Sequence, residues 1–427
     1  MHLLIIGIFV IGYAAIALEH PIKINKTASA LLTGVLCWVV YIMSSPDAGV
    51  ITEKLTDHLG EISGILFFLL GAMTIVELVD AHDGFDVITS KIKTKDLLKL
   101  LWIISIVTFF LSAVLDNLTT TIVMVSLLRK LIGNKKARMF FVGMVVVAAN
   151  AGGAWSPIGD VTTTMLWIGG QINTGSIVAN LILPSLACLV MPLVFLSFSL
   201  KGKAEPPAIA KNKDSDNTTP FERNLILTLG IGALVFVPVF KTITHLPPYM
   251  GMLFGLGILW IVTEVIHKKK NVTDKDSFSV VHALRKADVP SVLFFLGILI
   301  AISALESTHM LSDLASAMDE HIGNIKIITI AIGLLSSIID NVPLVAAAMG
   351  MYDMSIYPPD HYFWTFLAYC AGTGGSCLII GSAAGVAAMG MEKIDFIWYM
   401  KKIGWLALVG YLAGAAVFLL QLSLFNS

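Results

Sequence analysis

Two aspartate–asparagine pairs stand inside apolar runs, in "SAVLDNLTTTIVM" at 112–124 and "SSIIDNVPLVAAAM" at 336–349, with Asp116 and Asp340 separated by 224 positions. A third carboxylate, Asp160, lies in "ANAGGAWSPIGDVTTT" at 149–164. An aspartate at the centre of a membrane helix costs about 2.5–3.5 kcal/mol on insertion scales, so it persists where a partner offsets that cost. Hard oxygen donors surround the three: Asn117, Asn150, Ser156, Thr162 and Thr163 early in the chain, and Ser336, Asn341, Thr373, Ser376 and Ser382 late in it. The ionisable groups of these elements are carboxylates only, with no Lys or Arg beside them. Carboxylate, amide and hydroxyl oxygens in such a set suit a small hard cation. Asp-Asn is also good N-cap chemistry for a following helix, and Pro343 suits a helix start; capping and cation binding are compatible. Glu77 and Glu306, near the ends of apolar runs, read first as snorkelling anchors; a proton relay is the second reading for Glu77.

The elements that position these residues are membrane helices. The chain has 427 residues, 56% hydrophobic and only 13% charged, against about a quarter charged in soluble domains. Apolar runs long enough to span a bilayer recur along it, which makes an all-α polytopic membrane protein. Ten full spans are expected near 2–19, 27–44, 61–80, 139–168, 177–200, 224–241, 250–266, 291–308, 362–391 and 403–425. A net charge of −1 offers nothing to a nucleic acid. Cys37, Cys188, Cys370 and Cys377 all lie in apolar segments and read as packing residues, not as a zinc site or a disulfide framework. The first apolar run lacks a basic leader and reads as a retained helix.

Two further runs, 100–128 and 324–352, are read as re-entrant hairpins with the Asp-Asn pairs at their tips. Four lysines in 90–99 and five basic residues in 129–138 flank the first run on both ends, which puts both ends in the cytoplasm. The second run is flanked by five acidic residues in 310–323 and 353–361 and no Lys or Arg, so it enters from outside. Segments 139–168 and 362–391 carry Gly pairs, the first also Pro157, and are expected to break, as backbone lining a cavity at membrane depth can. Matched motifs ("SAVLDNL" with "SSIIDNV", "GGAWSPIG" with "GGSCLIIG") and mirrored loop charge together predict an inverted-topology repeat. Each half has five spans, one re-entrant hairpin and one broken helix: residues 1–200 and 224–427, joined by a cytoplasmic linker at 201–223. Both termini are then external. Such an architecture belongs to secondary transporters, not to enzymes, and no His-Glu-x-x-His run or His–nucleophile pair points to catalysis.

The hairpin tips, "NAGGAWSPIGD" and "GTGGSCLIIGSAAG" together resemble the NhaD-type sodium/proton antiporters of the ion-transporter superfamily, over nearly the whole chain. The resemblance implies exchange of cytoplasmic Na+ or Li+ for external H+ across an inner membrane, no cofactor, a role in pH homeostasis and a homodimer. The three intramembrane carboxylates Asp116, Asp160 and Asp340 are the expected ligands for Na+ and the proton. Superfamily relatives that carry dicarboxylates have Ser-Asn-Thr at the tips, and an aspartate there repels an anion. The alternative is a carrier of the same fold for a dicarboxylate or arsenite. Asymmetry between the halves (Thr119 against Pro343, Asn150 against Gly372, Asp160 against Ser382) suggests that the first contributes more ligands.

Overall fold

The computed structural model describes residues 1–44, 47–89, 92, 94–199, 202–203, 218–269 and 278–425. Most of the expected linker lies outside these residues. Up to residue 199 the main helices are α1 (His2–Ala17), α2 (Lys26–Met43), α3 (Ala48–Ala81), α4 (Leu97–Ser112), α5 (Asn117–Leu131), α6 (Lys135–Ala154), α7 (Val161–Ile168) and α8 (Thr174–Ser199). From residue 220 they are α9 (Pro220–Thr244), α10 (Pro248–Ile266), α11 (Val289–Ser307), α12 (Met310–Ile322), α13 (Ile325–Leu335), α14 (Asn341–Met351), α15 (Tyr362–Gly374), α16 (Ala383–Glu392) and α17 (Trp405–Phe425). The only β pairing among the described residues is a single bridge between Asp96 and Lys203.

Eight helical stretches among the described residues are long and apolar enough to cross a bilayer: α2, α3, α6, α8, α9, α10, α11 and the helical run Phe396–Leu424 that contains α17. Their outer faces leave Leu32, Met43, Phe198, Ile243, Ile261, Val265 and Leu420 exposed, a belt that lipid covers. The protein is therefore a multi-pass membrane protein.

The runs at 100–128 and 324–352 each divide into two helices, α4 and α5 at 113–116, α13 and α14 at 336–340. The two expected broken helices do break, α6 from α7 at 155–160 and α15 from α16 at 375–382. Packing repeats in the same way. Gly152 of α6 lies so close to α4 that a Cβ would overlap the Phe109 carbonyl, and Gly374 of α15 meets the Gly333 carbonyl of α13 alike. Only a residue without Cβ permits these approaches. Ser112 Oγ donates to the Ala149 carbonyl at 2.6 Å, and Ser336 Oγ to the Ala371 carbonyl at 2.8 Å. Outside this core, α2 lies along α11, held by Trp38 Nε1 on the Ile300 carbonyl at 2.9 Å, while α3 packs on α10.

Some boundaries differ from the sequence expectation. Segment 48–60, which falls between the expected spans 27–44 and 61–80, is the first third of α3, because Asp47 caps a stretch with no proline to stop it. The second half's first helix starts at Pro220 rather than 224, set by a capping box between Thr219 and Glu222. The acidic flank 310–323 folds as α12, not as a loop.

Candidate functional site

Four helices begin around one point, each capped by its own side chain: Asp116 on α5, Asp160 on α7, Asp340 on α14 and Ser382 on α16. A helix start carries unpaired N–H groups and the positive end of the dipole, which favour an anion. Here the chain's own oxygens already answer them. Asp116 Oδ1 accepts from Thr119 N at 2.8 Å and Oδ2 from Thr119 Oγ1 at 2.7 Å. Asp160 Oδ1 accepts from Thr162 N at 2.8 Å and from Thr162 Oγ1 at 2.6 Å. Asp340 Oδ1 accepts from Val342 N at 3.3 Å, and Ser382 Oγ from Gly385 N at 3.2 Å.

Asp160 is the centre of the arrangement. It is 1% exposed, and both tip asparagines reach it. Asn117 Nδ2 donates to Asp160 Oδ2 at 2.5 Å, and Asn341 Nδ2 lies 3.4 Å from each oxygen. Asn117 also donates to Asn150 Oδ1 at 3.1 Å; Asn150 Nδ2 in turn donates to Ser376 Oγ and Ser382 Oγ, both at 2.9 Å. One hydrogen-bonded network thus joins both tips and both helix breaks. Polar side chains buried in this way hold one another in place, and the oxygens they present are fixed before any ligand arrives.

A cavity of about 50 Å³ opens beside this network, lined among others by Asp116, Asn117, Asp160, Asp340 and Lys26. A single water fills roughly 10–15 Å³ on this measure, so a few waters or a partly hydrated ion fit. Wider cavities lie elsewhere: one of about 410 Å³ shares Lys26 and Asp340 and reaches Leu18 and Phe396, and another of about 700 Å³ reaches His58, Glu61 and Glu306.

The expected site residues divide into two groups. Asp116, Asn117, Asn150, Asp160, Thr162, Asp340, Asn341, Ser376 and Ser382 come together as described. Ser156 and Ser336 donate their hydroxyl protons across helix contacts to the carbonyls of Ala113 and Ala371 at 2.5 and 2.8 Å, and Thr163 and Thr373 donate within their own turns to the carbonyls of Asp160 and Tyr369 at 2.9 and 2.6 Å. Glu77 has Asp80 and Lys286 as its charged neighbours. Among the described residues no three Asp, Glu, His or Cys side chains close on one point as a metal cage. The caps fit this: Asp116, Asp160 and Asp340 are each held at their own helix start.

One expectation fails. The carboxylates do have a basic neighbour, because Lys26 Nζ lies 3.5 Å from Asp340 Oδ2. Lys26 opens α2, held there by the Asn25 cap, and its ammonium rests over the Phe294 ring at 4.4 Å. It lies just before the expected span 27–44. Two further residues hold the site together: Ser112, whose match with Ser336 in the tip motifs is a signal in the sequence, and Tyr399, whose hydroxyl donates to the Ser376 carbonyl at 2.9 Å. Glu392, at the end of α16, is buried between Arg129 and Arg138, with Nε–O distances of 2.6 and 2.9 Å, and anchors the basic 129–138 segment.

Residues 13–368 match the model of the family described as Citrate transporter. Among curated proteins, Sodium/proton antiporter 1 of Arabidopsis thaliana is 51% identical, over 96% of this chain and 71% of that one. Sodium/proton antiporter 2 of the same plant is 48% identical, over 96% of this chain and 98% of its own. The Na(+)/H(+) antiporter NhaD of Alkalimonas amylolytica is 30% identical, over 97% and 89% respectively. With its capped tips, its two broken helices and these full-length matches, the chain belongs to the family of NhaD-type sodium/proton antiporters, within the broader citrate-transporter family.

Proposed function

We propose that this protein exchanges Na+, or Li+, for protons across the membrane, with Asp160 as the central ligand and Asp116 and Asp340 flanking it. The observation that carries this is the convergence of Asn117 and Asn341, one from each tip, on the buried Asp160 carboxylate. A carboxylate there can be neutralised by a proton or by an alkali ion, not by both at once. Competition for it couples the two flows. Cytoplasmic Na+ binds the ionised site, the loaded site crosses, and external protons displace the ion. The amide oxygens of Asn117 and Asn341 and the hydroxyls of Thr162, Ser376 and Ser382 complete the shell.

The same reading takes the chain as an inverted-topology repeat of residues 1–200 and 224–427 with re-entrant tips. The matched glycine approaches and serine hydrogen bonds support it. So does packing: α4 lies on α6 as α13 does on α15, and α5 lies on α16 as α14 does on α7. At the basic ends, Lys130 Nζ lies 4.0 Å from Asp86, and Leu97 N donates to the Gly202 carbonyl at 3.1 Å. Both termini then face outward, and the protein works in an inner membrane, as a homodimer, in pH homeostasis.

A second reading, carriage of an anion, draws on the citrate-transporter description and on the four converging helix starts. Against it, three of those starts are capped by aspartate, whose charge repels an anion and whose oxygens already answer the helix N–H groups. The test is purified protein in liposomes with a trapped pH dye. Added NaCl should move protons through the native chain and not through Asp160→Asn. Uptake of labelled citrate without a sodium-driven proton signal would reverse the assignment.

A further inference from the structure

The two tips are not equivalent, and the difference identifies a role for Lys26. At the first tip both oxygens of Asp116 are held by Thr119, through its N–H and its hydroxyl. The residue at the same offset in the second tip is Pro343, which has neither group. Asp340 keeps one cap hydrogen bond, from Val342 N to Oδ1, and its Oδ2 turns to the Lys26 ammonium. Among the described residues no lysine or arginine forms an ion pair with Asp116, and Asp340 alone of the two tips is answered by a lysine. Lys26 does not belong to the tip. It stands on α2, which is packed against α11, and the ammonium is steadied there by the Phe294 ring. Lys26 and Asp340 together line both the small cavity beside Asp160 and the wider one that reaches Leu18 and Phe396.

We propose that Lys26 is a tethered competitor for the transported alkali cation: its ammonium occupies the free oxygen of Asp340 when the site is empty and must yield that oxygen when Na+ binds. This inference rests on the antiport reading and extends it. A lysine ammonium is a compact point charge on a flexible stem, so it can withdraw by a few ångströms without unfolding its helix. Its presence weakens sodium binding by repulsion and by occupying a ligand oxygen, and release of Na+ is correspondingly easier. The wider cavity offers the space into which it moves.

Sodium binding to the purified protein, measured by calorimetry at one fixed alkaline pH with choline chloride as the ionic-strength control, tests this. Lys26→Gln should bind Na+ about tenfold more tightly than the native chain, and Lys26→Arg should not. The pair Lys26→Gln with Asp340→Asn should return to within about threefold of native affinity, because the charge and its target are removed together. A merely structural role for Lys26 would weaken binding in every variant. Labelling of the native chain by an amine-reactive reagent, read at Lys26 by mass spectrometry, needs no variant, and NaCl should speed it relative to choline chloride. Native binding that Lys26→Gln leaves unchanged or weakens, or a labelling rate indifferent to Na+, overturns the role of Lys26 alone. A native chain that binds no Na+ overturns the antiport reading and this inference with it.

Discussion

The tip at Asp116 and the tip at Asp340 start from the same dipeptide and end in different electrostatic states. Asp116 is satisfied within its own helix turn by neutral donors, and its backbone pays with a φ of +133°, a region that non-glycine residues rarely occupy. Asp340 sits at an ordinary φ of −49°, makes one cap hydrogen bond, and is partnered by a cation from another helix. Between them lies Asp160, which has no carboxylate mate because position 382 is serine. The difference teaches that a repeated motif sets the scaffold, while charge is distributed by the few positions where the copies diverge.

The largest effect should come from Asp160. Asp160→Asn removes the one fully buried carboxylate of the site, and sodium-driven proton movement in liposomes should fall at least about a hundredfold. If the variant keeps native rates, the centre of the site lies elsewhere. Next comes a carboxylate outside the transport site that serves as a contrast. Glu392→Gln leaves Arg129 and Arg138 facing a neutral group at a buried position, which should destabilise the protein by about 3 kcal/mol while leaving sodium affinity in the surviving fraction unchanged. Thermal unfolding followed by size-exclusion fluorescence reads the first part, calorimetry the second.

The comparison of tips is sharpened by Asp116→Asn and Asp340→Asn side by side. Asp116 has no resident cation, so its loss should weaken sodium binding about tenfold; Asp340→Asn removes a ligand oxygen and also leaves the Lys26 ammonium unpaired, so it should weaken binding about thirtyfold. Equal effects would mean the two tips act alike. The smallest effect expected is structural and symmetric. Ser112→Ala and Ser336→Ala each remove one buried hydroxyl-to-carbonyl hydrogen bond, worth about 1 kcal/mol, and the two should lower thermal stability by similar amounts.

Much of this was legible in the sequence for local reasons. Asp-Asn ahead of a helix-forming run announces a cap, and Gly-Gly followed within a few residues by Pro or Gly announces a break; both depend on neighbours along the chain. The convergence of Asn117, Asn150, Asp160, Asn341 and Ser382 was expected from the repeat. Lys26 was not, because it lies 314 positions from Asp340, and nothing in "HPIKINKTAS" distinguishes an ammonium that turns inward from one that faces water. The hydroxyls of Ser156, Thr163, Ser336 and Thr373 were read as ligands because residue type and depth suited them. The carbonyls met by Ser156 and Ser336 depend on close helix approaches at Gly152 and Gly374, whereas Thr163 and Thr373 turn back to carbonyls three and four residues earlier. The helical course of 48–60 is hidden in the sequence because its charged residues end the apolar run, whereas the Asp47 cap starts the helix ahead of it.

The measurement that goes most directly to the central claim is the sodium dependence of transport at several pH values. If a proton and an alkali ion contend for Asp160, the apparent KM for Na+ should rise as the pH falls, approaching tenfold per pH unit on the acid side, while the maximal rate at saturating Na+ holds steady. An apparent KM that does not move with pH, with only the maximal rate falling, would contradict a shared site.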